Sequence, residues 1–194
     1  MNIGIFGGTF NPIHNGHISL AEQLLGKGIL DKVLFMVSAR PPHKDEPQVT
    51  AKQRFEMVKL ALSAKENMEA CDLEFKRPGN SYTVDTMAEV RTLYKEDKVF
   101  FVLGADSFVQ LPQWKEPERL FKEISFIVSD RSCAFEDAEY QRKVAEIMEK
   151  YQPDVQFFPI ATPDVSSTEL RSGNNTEHLP ESVLAYIKRN KLYE

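Results

Sequence analysis

Residues 1–17 read MNIGIFGGTFNPIHNGH. The run Ile3-Gly4-Ile5-Phe6 is short and almost wholly apolar, as in a strand buried on both faces. Gly7 and Gly8 follow at once. Lacking side chains, they allow a sharp turn and the close approach of a bulky group. A helical pattern begins within a few residues, from about His17 to Leu25. The free N–H groups and dipole of a helix start favour an anion. Strand, glycine turn and helix start together make a phosphate-binding element. The stretch is neither GxGxxG nor a Walker loop. Without the lysine–serine ending of the latter, ordinary kinase or NTPase chemistry is disfavoured.

His14 and His17 make the element more specific. Residues three apart on a helix point the same way. Read as the first turn, they turn both imidazoles toward whatever the glycine loop admits, with Gly16 leaving room between them. A phosphate held there receives ring N–H donors from both, charge-assisted if a ring is protonated. The same spacing serves metal ligation, but no third ligand is near in sequence, and His43 and His178 fall in distant loops. Two unrelated surface histidines are the plainest reading of an isolated HxxH.

Working outward, Val33–Val37, Val99–Leu103, Ile124–Val128 and Val155–Phe158 repeat the apolar character of the first strand. Helical patterns separate them. Lys52–Ala64 carries Phe55, Val58, Leu60, Ala61 and Leu62 as an apolar stripe. Thr83–Tyr94 carries Val84, Met87, Val90 and Leu93. Glu139–Lys150 and Pro180–Lys191 follow. This alternation predicts an α/β fold: a Rossmann-like, doubly wound parallel sheet with helices on both faces. Ligands then bind beyond the carboxyl ends of the strands, near the topological switch point. There is no internal repeat. Pro41–Thr50, with three prolines and mixed charge, reads as a mobile loop, and Ser129–Ala138 and Ser172–His178 read as surface loops.

The 194 residues, 42% of them hydrophobic, suit one domain over 1–194 with a full core. The net charge of -5, with no basic block, argues against a nucleic acid polymer as partner. Phosphate chemistry must rest on a few local cations. Cys71 and Cys133 read as reduced, packed thiols. No secretory signal or membrane span is expected, which predicts a cytoplasmic protein. The sequence leaves oligomeric state open, a homo-oligomer included.

GGTFNPIHNGH, with its H-x-G-H core, resembles the nucleotidyltransferase superfamily, whose members attack the α-phosphate of a nucleoside triphosphate and release pyrophosphate. Five further segments narrow the match. They are Pro41-Pro42-His43-Lys44, Ser81–Thr86 (SYTVDT), Gly104-Ala105-Asp106-Ser107, Leu111-Pro112-Gln113-Trp114 and Ser166–Arg171 (SSTELR), in that order. With the ending from Leu179 to Tyr193, the chain resembles the bacterial nicotinate-nucleotide adenylyltransferases over nearly its whole length. The resemblance implies transfer of the adenylyl group of ATP to nicotinate mononucleotide, giving deamido-NAD and pyrophosphate in NAD biosynthesis. Mg²⁺ is expected on the triphosphate, with no metal held by the protein itself.

The resemblance also implies roles. His14, His17, Lys44 and Arg171 are the catalytic set. Gly7, Gly8, Thr9, Phe10, Gly104, Asp106, Ser166, Ser167 and Thr168 bind ATP. Thr83, Trp114 and Lys115 bind the nicotinate nucleotide: Trp114 against the ring, and the main-chain amides of Thr83 and Lys115 on the carboxylate. The residues alone leave other uses open. Lys44 reads equally as a solvated lysine, Asp106 as a helix N-cap and Trp114, the only tryptophan, as core. Capping explains one of the hydroxyls at 166–168, but not three with Arg171 one turn on. Gln110 stands where relatives often have an aromatic residue. The attacking phosphate oxygen is already ionised, so no general base is needed, and cations and N–H donors suffice. Rival readings are a nicotinamide-mononucleotide or dual-specificity adenylyltransferase, a phosphopantetheine adenylyltransferase and a non-catalytic nucleotide-binding regulator. Substrate preference and pyrophosphate release separate them.

Overall fold

The computed structural model describes residues 1–41, 49–130, 134–163 and 165–193. Six strands form one sheet: β1 (Asn2–Gly8), β2 (Lys32–Val37), β3 (Met68–Cys71), β4 (Lys98–Gly104), β5 (Ser125–Asp130) and β6 (Val155–Pro159). Their order is β3-β2-β1-β4-β5-β6, and every pairing is parallel. This is the predicted doubly wound sheet, with its switch point between β1 and β4. The register shows how the sheet opens there. β1 and β4 pair only as far as Phe6 and Val102. β1 stays with β2 to Gly8 and Val37, while β4 stays with β5 to Gly104 and Ser129. The two central strands therefore part at their carboxyl ends and leave a crevice.

Alternating side chains divide the core between the two faces. Phe6, Val33, Phe35, Val37, Phe100, Val102 and Ile127 lie on one. Helices α1 (Asn15–Gly26), α2 (Ala51–Leu62) and the later α8 (Glu181–Arg189) cover it, with Leu20, Leu24, Met57, Val58 and Val183 packed inward. Ile3, Ile5, Leu34, Met36, Phe101, Leu103, Phe126 and Val128 lie on the other. It is covered by α3 (Thr83–Leu93), α4 (Ala105–Phe108), α5 (Pro117–Glu123) and α6 (Ala138–Tyr151). The remaining helix, α7 (Ser167–Arg171), buries Leu170 on the first face.

The structure corrects several expectations. β3 and α5 were not anticipated, and short 3-10 turns occupy Ala134–Glu136 and Thr176–His178 within expected loops. The buried face of α2 is Arg54, Met57, Val58, Ala61 and Leu62, with Phe55 only partly covered. Leu93, expected on the apolar stripe of α3, is 61% exposed, while Val90 in the same turn is buried. Cys71 is a free thiol, and burial pushes its pKa up. Cys133, and most of the expected loop at 41–50, lie outside the described residues.

Candidate active site

The crevice holds two adjoining cavities of about 610 Å³ each. Gly7, Gly8, Thr9, Phe101, Asp106, Ser107 and Trp114 line both, so these residues form the shared wall. The first cavity continues to Thr83, Gln110 and Lys115, and the second to Phe10, His17, Gly104, Ser167, Thr168 and Arg171. Of the residues assigned to a pyridine nucleotide, Thr83 and Lys115 line only the first cavity; of those assigned to ATP, Phe10, Gly104, Ser167 and Thr168 line only the second, and the rest that line a cavity stand on the shared wall.

The glycines do not act as expected. Neither has a positive φ; the sharp turn falls on Phe10, at φ 46°. What Gly7 and Gly8 supply is space. A Cβ on Gly7 would stand 2.8 Å from the Phe101 ring, and one on Gly8 would stand 2.9 Å from the Phe10 ring. Both rings are buried and set against the strand end. Gly7→Ala is therefore expected to lower stability by about 1–3 kcal/mol, the usual cost of overpacking. A melting temperature equal to that of the unaltered protein would refute this account of Gly7.

His14 is not in the first turn. It is the N-cap of α1, in extended conformation, and is 1% exposed. Its ring lies face to face with that of His17, centroids 3.6 Å apart. Gly16 is needed beneath it, since a Cβ there would stand 3.0 Å from His14 Nδ1. His17 alone of the pair lines the second cavity. The backbone N–H of His14 donates to His17 Nδ1 (3.3 Å). An Nδ1 that accepts carries no proton, so the ring is held as the neutral tautomer with its N–H at Nε2. Phe6 and Phe10 meet the same ring edge to face. Of the pair, only His17 therefore brings its ring to the cavity, where the spacing suggested N–H donors from both.

The segment 166–171 reaches the opening loop across the whole chain. Ser167 Oγ donates to the carbonyl of Pro12 (2.9 Å), and Arg171 Nη1 donates to that of Asn11 (2.9 Å). Arg171 also donates to Ser167 O and Thr168 Oγ1. Among the described residues these bonds leave Nε and one Nη2 hydrogen for a ligand. Ser166 differs from its neighbours: it caps α7 through the amide of Glu169, donates to the Glu169 carboxylate and lines neither cavity. Those bonds hold the Glu169 carboxyl below its usual pKa.

On the other side Thr83 is the first residue of α3, as expected, with Tyr82 as N-cap. Lys115 Nζ pairs with Asp85 (3.0 Å) above the Tyr82 ring and ties the Trp114 loop to that helix start. Its pKa is raised, mainly by the hydrogen bond to Asp85. Trp114 follows a short 3-10 turn, Leu111–Gln113, and meets Phe101 edge to face. Asp106 is not an N-cap; Gly104 is, which leaves the Asp106 side chain on the shared wall. Lys44 and His43 lie outside the described residues. Among the described residues no three His, Cys, Asp or Glu side chains are grouped to hold a metal ion.

Two residues went unnoticed in the sequence. Arg54, 1% exposed, donates from Nη1 to Thr9 O (2.7 Å) and Ser38 O (2.8 Å), and from Nη2 to Ala39 O (3.5 Å). It thereby joins the loops after β1 and β2 beneath the crevice. Desolvation pushes its pKa down, opposed by Tyr193 and Glu74. Tyr193, which follows α8, lines the second cavity and donates its hydroxyl to Asn11 Oδ1 (2.6 Å).

A parallel sheet that parts over glycine-lined cavities, with a histidine helix start at its edge, defines an α/β domain of nucleotidyltransferase type. The family model described as cytidylyltransferase-like matches residues 5–173. A relative from Desulfitobacterium hafniense (strain Y51), described as a probable nicotinate-nucleotide adenylyltransferase, is 37% identical over 197 residues, covering 98% of this chain and 95% of its own. One from Thermus thermophilus, described likewise, is 39% identical over 203 residues and the full length of both chains. The chain belongs to the cytidylyltransferase-like family and, within it, to the nicotinate-nucleotide adenylyltransferases. The fold is shared with Plasmodium falciparum nicotinic acid mononucleotide adenylyltransferase solved with NaAD, at TM-score 0.80 and 20% identity, covering 99% of this chain and 97% of that one. No described helix is long and apolar enough to cross a membrane.

Proposed function

We propose that this chain transfers the adenylyl group of ATP to nicotinate mononucleotide, releasing pyrophosphate and forming deamido-NAD. The observation that carries the reading is the pair of cavities sharing one wall at the switch point, one beside the His17 and Arg171 donors and the other beside Trp114 and the start of α3. Two substrates placed there meet across Gly7, Gly8, Thr9 and Asp106.

The roles follow from what each group can donate. The phosphate of the mononucleotide attacks the α-phosphate of ATP in line, and pyrophosphate leaves. No proton has to be removed from the attacking oxygen, so the work is positioning and charge stabilisation. His17 Nε2–H is aimed at the charge that develops on the α-phosphate, and the buried His14 ring holds it in place. Arg171 uses its remaining N–H groups on the β- and γ-phosphates, with Ser167 and Thr168 beside it. Lys44 is proposed as a further cation on the triphosphate from the sequence alone. Ser166 acts through the cap of α7 rather than by contact. Mg²⁺, when bound with ATP, would supply charge neutralisation on the triphosphate. Asp106, the one carboxylate among the described residues lining the second cavity, is the residue that would help hold it. On the pyridine side, Trp114 packs against the ring, and the amides of Thr83 and Lys115 take its carboxylate. A cytoplasmic location accords with both substrates.

Arg171→Ala is expected to raise the KM for ATP about 10–100-fold, the range for one or two charge-assisted hydrogen bonds, with less change for the mononucleotide. Unchanged ATP kinetics would remove Arg171 from the triphosphate site. The reading as a whole is tested by pyrophosphate release with Mg-ATP and either nicotinate or nicotinamide mononucleotide. Strong preference for the acid supports it. Equal rates retain the chemistry and reject the carboxylate pocket, and release with neither rejects the reaction.

A further inference from the structure

We infer that Tyr193 is a positioning residue for the triphosphate side of the crevice, acting through Asn11; the inference rests on the assignment of the second cavity to ATP. The loop at Asn11 and Pro12 is held from three directions. Ser167 binds the carbonyl of Pro12, Arg171 binds the carbonyl of Asn11, and Tyr193 binds the side chain of Asn11. The first two come from the segment assigned to the phosphates. The third comes from beyond α8, an element that packs on the same core face through Val183 and its neighbours.

The bond from Tyr193 does more than hold a loop. An amide side chain can stand either way round, with oxygen or nitrogen toward a given neighbour. The Tyr193 hydroxyl donates to Asn11 Oδ1 at 2.6 Å, so the amide stands with its oxygen toward Tyr193. Asn11 lines the second cavity, as does Tyr193 itself. The end of the Asn11 amide left unused by described residues is then Nδ2, an N–H donor. It stands in a cavity that His17 and Arg171 also line. Burial raises the phenol pKa well above its ordinary value, outweighing the opposing pull of Arg171 and Arg54, so the hydroxyl keeps the proton it donates. Tyr193 thus anchors the Asn11–Pro12 loop through its amide. Through the Asn11 carbonyl it also sets the seat of Arg171.

The test is Tyr193→Phe, which keeps the ring and its packing and removes only the hydroxyl. The expected result is a rise of about fivefold in both the KM and the calorimetric Kd for Mg-ATP, the scale of one neutral hydrogen bond. The kcat, the KM for nicotinate mononucleotide and the melting temperature should stay close to those of the parent. A merely structural role would instead lower the melting temperature and leave the ATP constants alone. Asn11→Ala supplies the second arm. In the double variant the Tyr193→Phe change should add nothing, because its partner is gone. ATP constants within twofold of the parent in Tyr193→Phe, or additive effects in the double variant, would overturn the inference. A parent protein that binds no Mg-ATP would overturn the assignment of the cavity beneath it, and the two failures are told apart by that control.

Discussion

Replacing His17 by alanine is expected to lower kcat by about 10²–10³, the scale for losing one preorganised donor to a developing charge. The expectation rests on the tautomer. His17 Nδ1 accepts from the backbone of His14, so its only donor is Nε2–H, and the rings of His14, Phe6 and Phe10 hold its plane. Two further variants separate this from a capping role. Asparagine places an acceptor where Nδ1 stands and can keep the bond to His14, but it has no group at the Nε2 position. Glutamine reaches that position with an N–H. If His17 acts as a donor, asparagine should be as slow as alanine, and glutamine should recover part of the rate. If His17 matters only as a cap, that order reverses. Turnover of the alanine variant within a few-fold of the parent would remove His17 from the centre of the reaction.

The largest effect on stability is expected at Arg54. Its guanidinium is fully enclosed and makes two short charge-assisted bonds to carbonyls of two different loops. Arg54→Ala deletes the donors, strands Thr9 O and Ser38 O, and opens a hole under the crevice. At about 1.5–3 kcal/mol for each such bond, the loss should be on the order of 3–5 kcal/mol. Lysine should recover only part, because one ammonium cannot reproduce the planar fork that spans both carbonyls. Urea denaturation measures both. A loss below about 1 kcal/mol for alanine would mean that the loops hold themselves. Because Thr9 lines both cavities, a destabilised but folded variant should also bind both substrates more weakly.

Much of the fold was legible in the strands. β1, β2, β4 and β5 are central or covered on both faces, so each had to be apolar over nearly its whole length, and each stood out. β3 did not. It lies at the sheet edge, and of its four residues only Met68 is buried. α5 is short and turns only Leu120 and Phe121 inward. The site was legible as a set of residues but not as a geometry. His14, His17 and Arg171 carry functional groups that declare themselves. That His14 lies behind His17, rather than beside it, depends on His14 being the extended N-cap of α1 rather than a residue of its first turn. The glycines were visible, but their purpose was not. Phe101 comes from the neighbouring strand, and its pressure on Gly7 exists only after β1 and β4 pair. Arg54 was hidden by the opposite effect. An arginine in an amphipathic helix ordinarily faces water, and the carbonyls that draw this one inward come from loops far away in sequence. In the sequence Tyr193 is only part of the chain's ending, since a tyrosine there signals nothing until its hydroxyl meets Asn11.

The most direct test of the central claim is the fate of the α-phosphate. ATP radiolabelled at that phosphate is incubated with the protein, Mg²⁺ and nicotinate mononucleotide, and the products are separated. The account predicts label in deamido-NAD, matched one for one by unlabelled pyrophosphate. Label retained in ATP, or recovered as free AMP with no dinucleotide, would contradict it.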